Sequence, residues 1–311
     1  WDDHEIANDA WMHGAENHNE GEGDFADRKR AAVRAYYEWM PIRMGFPDRA
    51  MRIYRRFDYG DLLTLMMLDT RLIGRDEQVG SPSAARDRDR QLLGQDQREW
   101  LFEQLEYSRG RGARWHVIGQ QVMLSPLTLG TLPDMPNWDL GGGAQLNYDQ
   151  WDGYETSRRV LLGRIEAMAL DNTVVLTGDI HSSWAMDVSA DPGNALVYNR
   201  FTGEGSLAVE FVTPAVTSPA APTKGLSDLA RAALVPLNPH LKWVDLFRRG
   251  YLVLDLTGEH CKADWFHLNT VSEPDDSEFF ARSYLARDGQ NHVERASQPS
   301  APKPDAPPLA P

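Results

Sequence analysis

Two short stretches concentrate the side chains that bind cations. Trp1 to Asp9 read WDDHEIAND, so Asp2, Asp3, His4 and Asn8 fall close together. Much later, Gly178 to His181 read GDIH, with Asp179 and His181 on either side of one residue. Carboxylate oxygen with imidazole nitrogen suits zinc, iron or manganese, and carboxylates alone also hold calcium or magnesium. Each stretch has a plainer account: an exposed acidic terminus with a helix cap in the first, a turn cap and an ordinary loop histidine in the second. Together they read as two halves of one metal site. Asp3 and Asn8 would share a centre if their segment is a loop or a helix start, because consecutive acids cannot all face one way along a strand.

The elements that must bring these halves together can be read from periodicity. VVLTGD is a buried strand, Thr173 to Thr177, that delivers Asp179 to its tip. Two more strands end in polar groups, LDTR at Leu68 to Arg71 and GQQ at Gly119 to Gln121. Helical periodicity separates them: DQREWLFEQLEYSRG, with Asp96 as its expected N-cap, and YETSRRVLLGRIEAMAL, with Val160, Leu161, Ile165 and Met168 as its expected inner face. Such alternation places the polar ends side by side at the carboxyl edge of one sheet, where ligands gather in α/β folds. Upstream, FADRKRAAVRAYYEWM reads as a helix with Ala32, Ala35, Tyr36 and Trp39 on one side. IYRRFDYGDLLTLMML reads as a strand pair turned at Tyr59-Gly60. Residues 125–153 are expected to be a long loop of the kind that borders a site. YLVLDLTGEHCKADWFHL is expected to be a hairpin turned at Thr257-Gly258. The Pro- and Ala-rich segment 298–311 lacks core-forming residues and reads as a disordered tail, leaving 1–297 as one domain.

Composition narrows the function. The chain has 46 acidic and 32 basic residues among 311, a formal charge of −14. That surface repels nucleic acid and anionic membranes, and it repels phosphorylated substrates unless cations or arginines supply local positive charge. No run of about 18 apolar residues marks a membrane span. The one cysteine, Cys261, forms neither an internal disulfide nor a cysteine zinc cage.

Seven blocks, in order, resemble the PhoD-like alkaline phosphatases of the calcineurin-like metallophosphoesterase superfamily. They are WDDHEIAND, LDTR, the W-L-x-x-L helix with its GQQ strand, WDGY at Trp151 to Tyr154, GDIHSSWAMD, EFVTPAVTS, and the stretch from NPHLKW to GY. The resemblance implies an α/β fold, a layered sandwich of two mixed β-sheets flanked by helices. It implies hydrolysis of small phosphate esters with two or more metal ions, calcium and iron by association, with zinc or manganese as alternatives. DDHE is similar to the superfamily's G-N-H-D/E block, which puts Asp3 on a metal and His4 beside the scissile phosphate, there to hydrogen-bond the phosphate or to protonate the leaving alkoxide. GDIH is similar to its G-H-x-H block, with Asp179 replacing the first His and His181 keeping the second. Asn8 is a further candidate ligand. Arg71 is a candidate phosphate ligand, or else a partner for Asp69 or another nearby acid.

The superfamily's first ligand blocks lie before DDHE and are missing from this sequence, so the chain reads as N-terminally truncated. Its middle His would fall near Gln120 and Gln121, so that ligand is replaced by Gln or lost. The resemblance also implies a periplasmic or extracellular monomer. Two rivals stay open: a phosphodiesterase of the phospholipase D type, and an inactive remnant acting as a folded binding module.

Overall fold

Three adjacent strands set the frame. In the computed structural model, which describes residues 1–42, 51–128, 147–218 and 221–302, β1 (Arg55–Tyr59) turns back into β2 (Leu63–Met67) as an antiparallel pair. β2 then runs parallel to β3 (Trp115–Gly119), and β3 parallel to β4 (Thr173–Thr177). The crossovers are α2 (Pro82–Ala85) with α3 (Gly94–Gly110), then α4 (Glu155–Ala167). β5 (Ser183–Ser189) and β6 (Ser206–Val212) follow, then α5 (Lys224–Leu237) and β7 (Leu241–Asp245). The sheet order is β1-β2-β3-β4-β6-β5-β7, so LDTR, GQQ and GDIH leave three neighbouring parallel strands at the same edge. α1 (Phe25–Trp39) precedes the sheet.

A second sheet is formed by β8 (Gly250–Leu256), β9 (His260–Leu268), β10 (Glu278–Arg287) and β11 (Glu294–Ala296). It is antiparallel throughout. The strand alternation explains the sandwich. Cys261, Ala263 and Trp265 of β9 point inward against Val209 and Phe211 of β6, together with Trp115, Val117, Val174 and Trp243. The other face of the large sheet packs on α3 and α4 through Leu101, Leu105, Leu161, Leu162 and Ile165. The layers are therefore helices, large sheet, small sheet.

Several local expectations shift. α3 begins at Gly94 rather than at an Asp96 cap. Gly94 takes φ 68° and passes so close to Gly74 that neither position has room for a Cβ. Asp96 instead sits in the first turn, where its charge complements the helix dipole. α1 buries Phe25 and Val33, while Trp39 is 84% exposed. The reason is that α1 packs on the N-terminal segment rather than on a sheet, so Trp1, Ile6, Ala7, Ala10 and Leu72 choose its inner face. In α4 the inner face carries Arg158, Leu161, Leu162 and Ile165, and Val160 is exposed. Of the expected long loop, residues 129–146 lie outside the described residues, and Trp151–Tyr154 form a 3₁₀ turn. Of the expected tail, residues 303–311 lie outside them too, while the Ser300 N–H donates to buried Asp264 at 2.8 Å.

Candidate metal centre

The N-terminal segment reaches the strand tips because its apolar residues are anchored. Trp1 is buried, stands edge-on to Tyr36 with ring centroids 4.7 Å apart, and donates its indole N–H to the Met51 carbonyl at 2.9 Å. Ile6, Ala7 and Ala10 pack in the same cluster as Leu72, the residue after Arg71. This packing draws the two segments together, and the acids come with them.

The chain then wraps around Asp3. Asp3 is buried, and both of its carboxylate oxygens accept backbone N–H groups, Oδ1 from His4 at 2.8 Å and Oδ2 from Asp9 at 2.9 Å. Asp2 Oδ1 accepts from the Asp3 N–H at 3.0 Å. One ligand oxygen each from Asp2, Asp3 and Asp179 lie within 4.8 Å of one another, the one such His, Cys, Asp or Glu grouping among the described residues. The two stretches separated by most of the sheet thus converge on one point.

Arg71 ties this point together. Its side chain is buried, with Nη1 donating to Asp149 at 2.7 Å, Nη2 to Asp179, and Nε to Asp2 at 3.3 Å. It does not pair with Asp69, whose carboxylate instead accepts the backbone N–H groups of Arg71 and Leu72, each at 2.9 Å. Arg75 is buried behind, donating to Asp149 Oδ1 at 2.5 Å and to the Thr70 carbonyl at 2.8 Å. Gln78 links Asp149 Oδ1 to the Asp9 carbonyl, at 2.7 and 2.8 Å. Gln150 donates to Asp179 Oδ2 at 2.7 Å.

The electrostatics are those of crowded carboxylates. Burial and the neighbouring Asp179 push the Asp2 carboxyl up to about 7, although Arg71 opposes the shift. Burial and Asp149 raise Asp9 to about 6. Burial would raise Asp149 too, but Arg75 and Arg71 beside it hold it below the usual carboxylate range. Despite its own burial, Arg71 is held charged, because Asp179 and Asp149 favour the cation. A negative cluster only partly offset by guanidinium is the donor set that hard cations fit.

The GDIH turn is strained. Asp179 and His181 take φ 63° and 53°, and Asp9 takes φ 49°. Non-glycine residues adopt this left-handed region sparingly, and such strain concentrates where a side chain must be aimed.

The other expected residues fall as follows. His4 stands on the rim with its side chain 70% exposed, its Nε2 3.8 Å from Asp3 Oδ2. His181 lies outside the carboxylate trio, two residues past Asp179. Asn8 donates its amide to Glu16 and its N–H to Asn17 Oδ1. Gln120 accepts the Trp151 indole N–H at 2.7 Å, and Gln121 accepts from Thr70 N and Oγ1 while donating to the Leu68 carbonyl. Both glutamines therefore clamp the strand tips. Asp2, Asp149, Gln150, Arg75 and Gln78 complete a constellation that spacing alone does not single out. The doubled acid of WDDHE carries a signal for Asp2; the others sit in loops with no periodicity to aim them.

Beside Asp179 opens a cavity of about 310 Å³, walled by Met123, Leu127, Ile180, Trp184, Leu234 and Leu246. Gln150 belongs both to this wall and to the carboxylate cluster.

Comparison with known proteins gives three findings. The family model described as PhoD-like phosphatase matches residues 1–265. Alkaline phosphatase D of Bacillus subtilis (strain 168) is 32% identical over 309 residues, an alignment covering 96% of this chain and 48% of that protein. A solved structure of PhoD superposes with a TM-score of 0.80 at 31% identity, covering 96% of this chain and 54% of that one. The chain thus spans about half the length of the relatives it matches.

Proposed function

The chain belongs to the PhoD-like phosphatase family, and we propose that it carries part of the catalytic machinery of a metal-dependent hydrolase of phosphate esters. One observation carries the reading: Asp2 and Asp3 from one end of the fold meet Asp179 from a strand tip within 4.8 Å. Asp2, Asp3 and Asp179 would hold the cations, with His181 and Asn8 as further ligands, and calcium with iron suits an oxygen-rich set. Bound cations supply charge that offsets the phosphoryl oxygens and lowers the pKa of an attacking water. That charge also answers the repulsion of a phosphate by a protein of charge −14.

The chain's own residues do the rest. Arg71, fully buried with its donors on Asp2, Asp149 and Asp179, holds those carboxylates in place rather than reaching a phosphoryl oxygen. His4, exposed on the rim, protonates the leaving alkoxide, a role worth about 10²–10⁴-fold in rate. The apolar cavity beside Asp179 takes the alcohol part of the ester. A periplasmic or extracellular location goes with this reading; among the described residues no helix is long and apolar enough to cross a membrane.

The test is to strip the chain of metal, reload it with calcium and iron, and follow hydrolysis of phenyl phosphate and diphenyl phosphate. Bound metal is counted by emission spectrometry. Asp179→Ala should lower the bound metal and cut both rates at least 10²-fold. Unchanged metal content and unchanged rates would remove Asp179 from the site. Diester cleavage without monoester cleavage would favour the phosphodiesterase reading.

A further inference from the structure

A second cleft, of about 400 Å³, lies where the start of α4, the Ala190–Gly193 turn after β5 and the Leu237–His240 turn after α5 meet. None of its lining residues belongs to the carboxylate site. Three arginines line it: Arg86, Arg158 and Arg159. Glu155 is shared by two of them, 3.2 Å from Arg86 Nε and 2.7 Å from Arg159 Nη2.

Arg158 is different. It is 7% exposed, yet among the described residues no carboxylate lies within ion-pair distance of it. Its Nη1 makes one long contact, 3.5 Å to the Ser189 carbonyl, and its Nε has no partner at all. A guanidinium has five N–H donors, and burying one without a paired anion is costly. Asp152, Glu155 and Asp191 favour its charge from beyond ion-pair distance, and Glu155 and Asp191 share the cleft lining.

A second unsatisfied group lines the same cleft. His240 is 1% exposed, its Nε2 sits 2.9 Å from the Pro126 carbonyl, and its Nδ1 has no partner. Because Nε2 must donate to that carbonyl, Nδ1 is left as an acceptor in the neutral ring. This atom and Arg158 Nε are both enclosed by protein, so a ligand in the cleft meets the outer edge of the Arg158 guanidinium and the two rim arginines, a donor set that matches a tetrahedral oxyanion such as phosphate.

We propose that this cleft is a second phosphate site, with Arg158 as its buried anchor and Arg86 and Arg159 at its rim. Its ligand is free inorganic phosphate or the phosphoryl group of an ester. The site stands whether or not the chain is a hydrolase, since its test needs no turnover.

The experiment is calorimetric titration of the metal-stripped chain, in which the carboxylate cluster repels anions, with inorganic phosphate, phenyl phosphate and sulfate. The expected result is one phosphate site, for which sulfate competes. Binding should fall at least tenfold in Arg158→Met and a few-fold in Arg159→Gln. Which of inorganic and phenyl phosphate binds more tightly identifies the source. Arg158→Met should also melt at a higher temperature than the wild type in phosphate-free buffer, and lose the rise in melting temperature that phosphate gives the wild type. A purely structural Arg158 would give the opposite sign. The proposal is overturned by absence of phosphate binding, by binding unchanged in Arg158→Met, or by binding abolished in Arg71→Met instead. Should Arg158→Met fail to fold, unchanged titrations in both Arg159→Gln and Arg86→Gln overturn it equally.

Discussion

Replacing Arg71 by methionine tests whether the site is a cluster of like charges held together by one internal cation. The substitution keeps an unbranched chain of similar reach and removes the guanidinium. Asp149 keeps Arg75 at 2.5 Å and Gln78 at 2.7 Å, so the loss falls on Asp2 and Asp179. Removing one partner of a buried ion pair costs about 3–5 kcal/mol. The Asp2 side chain is 36% exposed, so solvent screens its share and the lower end applies, about 3 kcal/mol. At roughly 2 °C per kcal/mol for a long chain, the melting temperature in chelator should fall by about 6 °C. Calcium should then narrow the gap between variant and wild type, since a cation at about 100 times its Kd returns about 2.7 kcal/mol and has more uncompensated charge to answer in the variant. Scanning calorimetry in chelator and in excess calcium reads both numbers. A fall under about 2 °C, or a gap that calcium leaves unchanged, would refute the electrostatic reasoning.

Three further outcomes follow from other parts of the structure. Gly153 has no room for a Cβ against the Tyr148 backbone carbonyl, so Gly153→Ala should displace the loop that aims Asp149 and Gln150; initial rates on phenyl phosphate should drop about 10²-fold, as misplacements near 1 Å do. Burial pushes the His240 imidazole down to about 4, against about 6.5 unfolded. The unfolded chain therefore takes up a proton that the folded chain refuses, and the stability this residue contributes, complete above about pH 6.5, is lost as pH falls toward 4, up to about 3 kcal/mol. His240→Gln should flatten the melting temperature against pH over that window, and an unaltered profile would show that the ring titrates freely. Ala233→Trp should narrow the apolar cavity and raise KM for phenyl phosphate more than for a small alkyl phosphate; equal effects on both would place the alcohol group elsewhere.

How much of this was legible in the residues depended on whether period or contact decides the outcome. Strands such as Thr173–Thr177 and the hairpin at Thr257-Gly258 carry their own period and turn chemistry, and both lie where the pattern predicts. The alternation of helices and strands also predicts that LDTR, GQQ and GDIH emerge side by side, as the sheet order bears out. β5 is harder to see, because Ser183, Asp187 and Ser189 interrupt its apolar run even though every residue in it is buried. Asp187 is satisfied from a distance: its Oδ2 accepts from the Tyr198 hydroxyl at 2.6 Å and its Oδ1 from the Val293 N–H at 2.8 Å. The same holds at the site. Asp179 announces itself at a strand tip, but Asp149 sits in an aperiodic loop, and only the folded positions of Arg71 and Arg75 make it a member.

Charge counting explains why this membership matters. Asp2, Asp3, Asp149 and Asp179 oppose Arg71 and Arg75, so the fully ionised cluster is short of two positive charges. The deficit is visible in Asp2, raised to about 7 by burial and by Asp179. Two forces keep the acids assembled regardless. Apolar anchoring holds Trp1, Ile6 and Leu72 in one cluster, and the backbone N–H groups of His4 and Asp9 grip Asp3. Hydrophobic burial, which needs no counterion, thus offsets the repulsion. A cation arriving there meets ligands already in place and a field already in its favour, and forgoes little of its binding energy to ordering the chain. If the anchor is what supplies that order, weakening it far from any ligand, as in Trp1→Ala, should loosen cation binding measured by calcium titration while leaving every carboxylate intact. Undiminished affinity in that variant would mean that the carboxylates organise themselves.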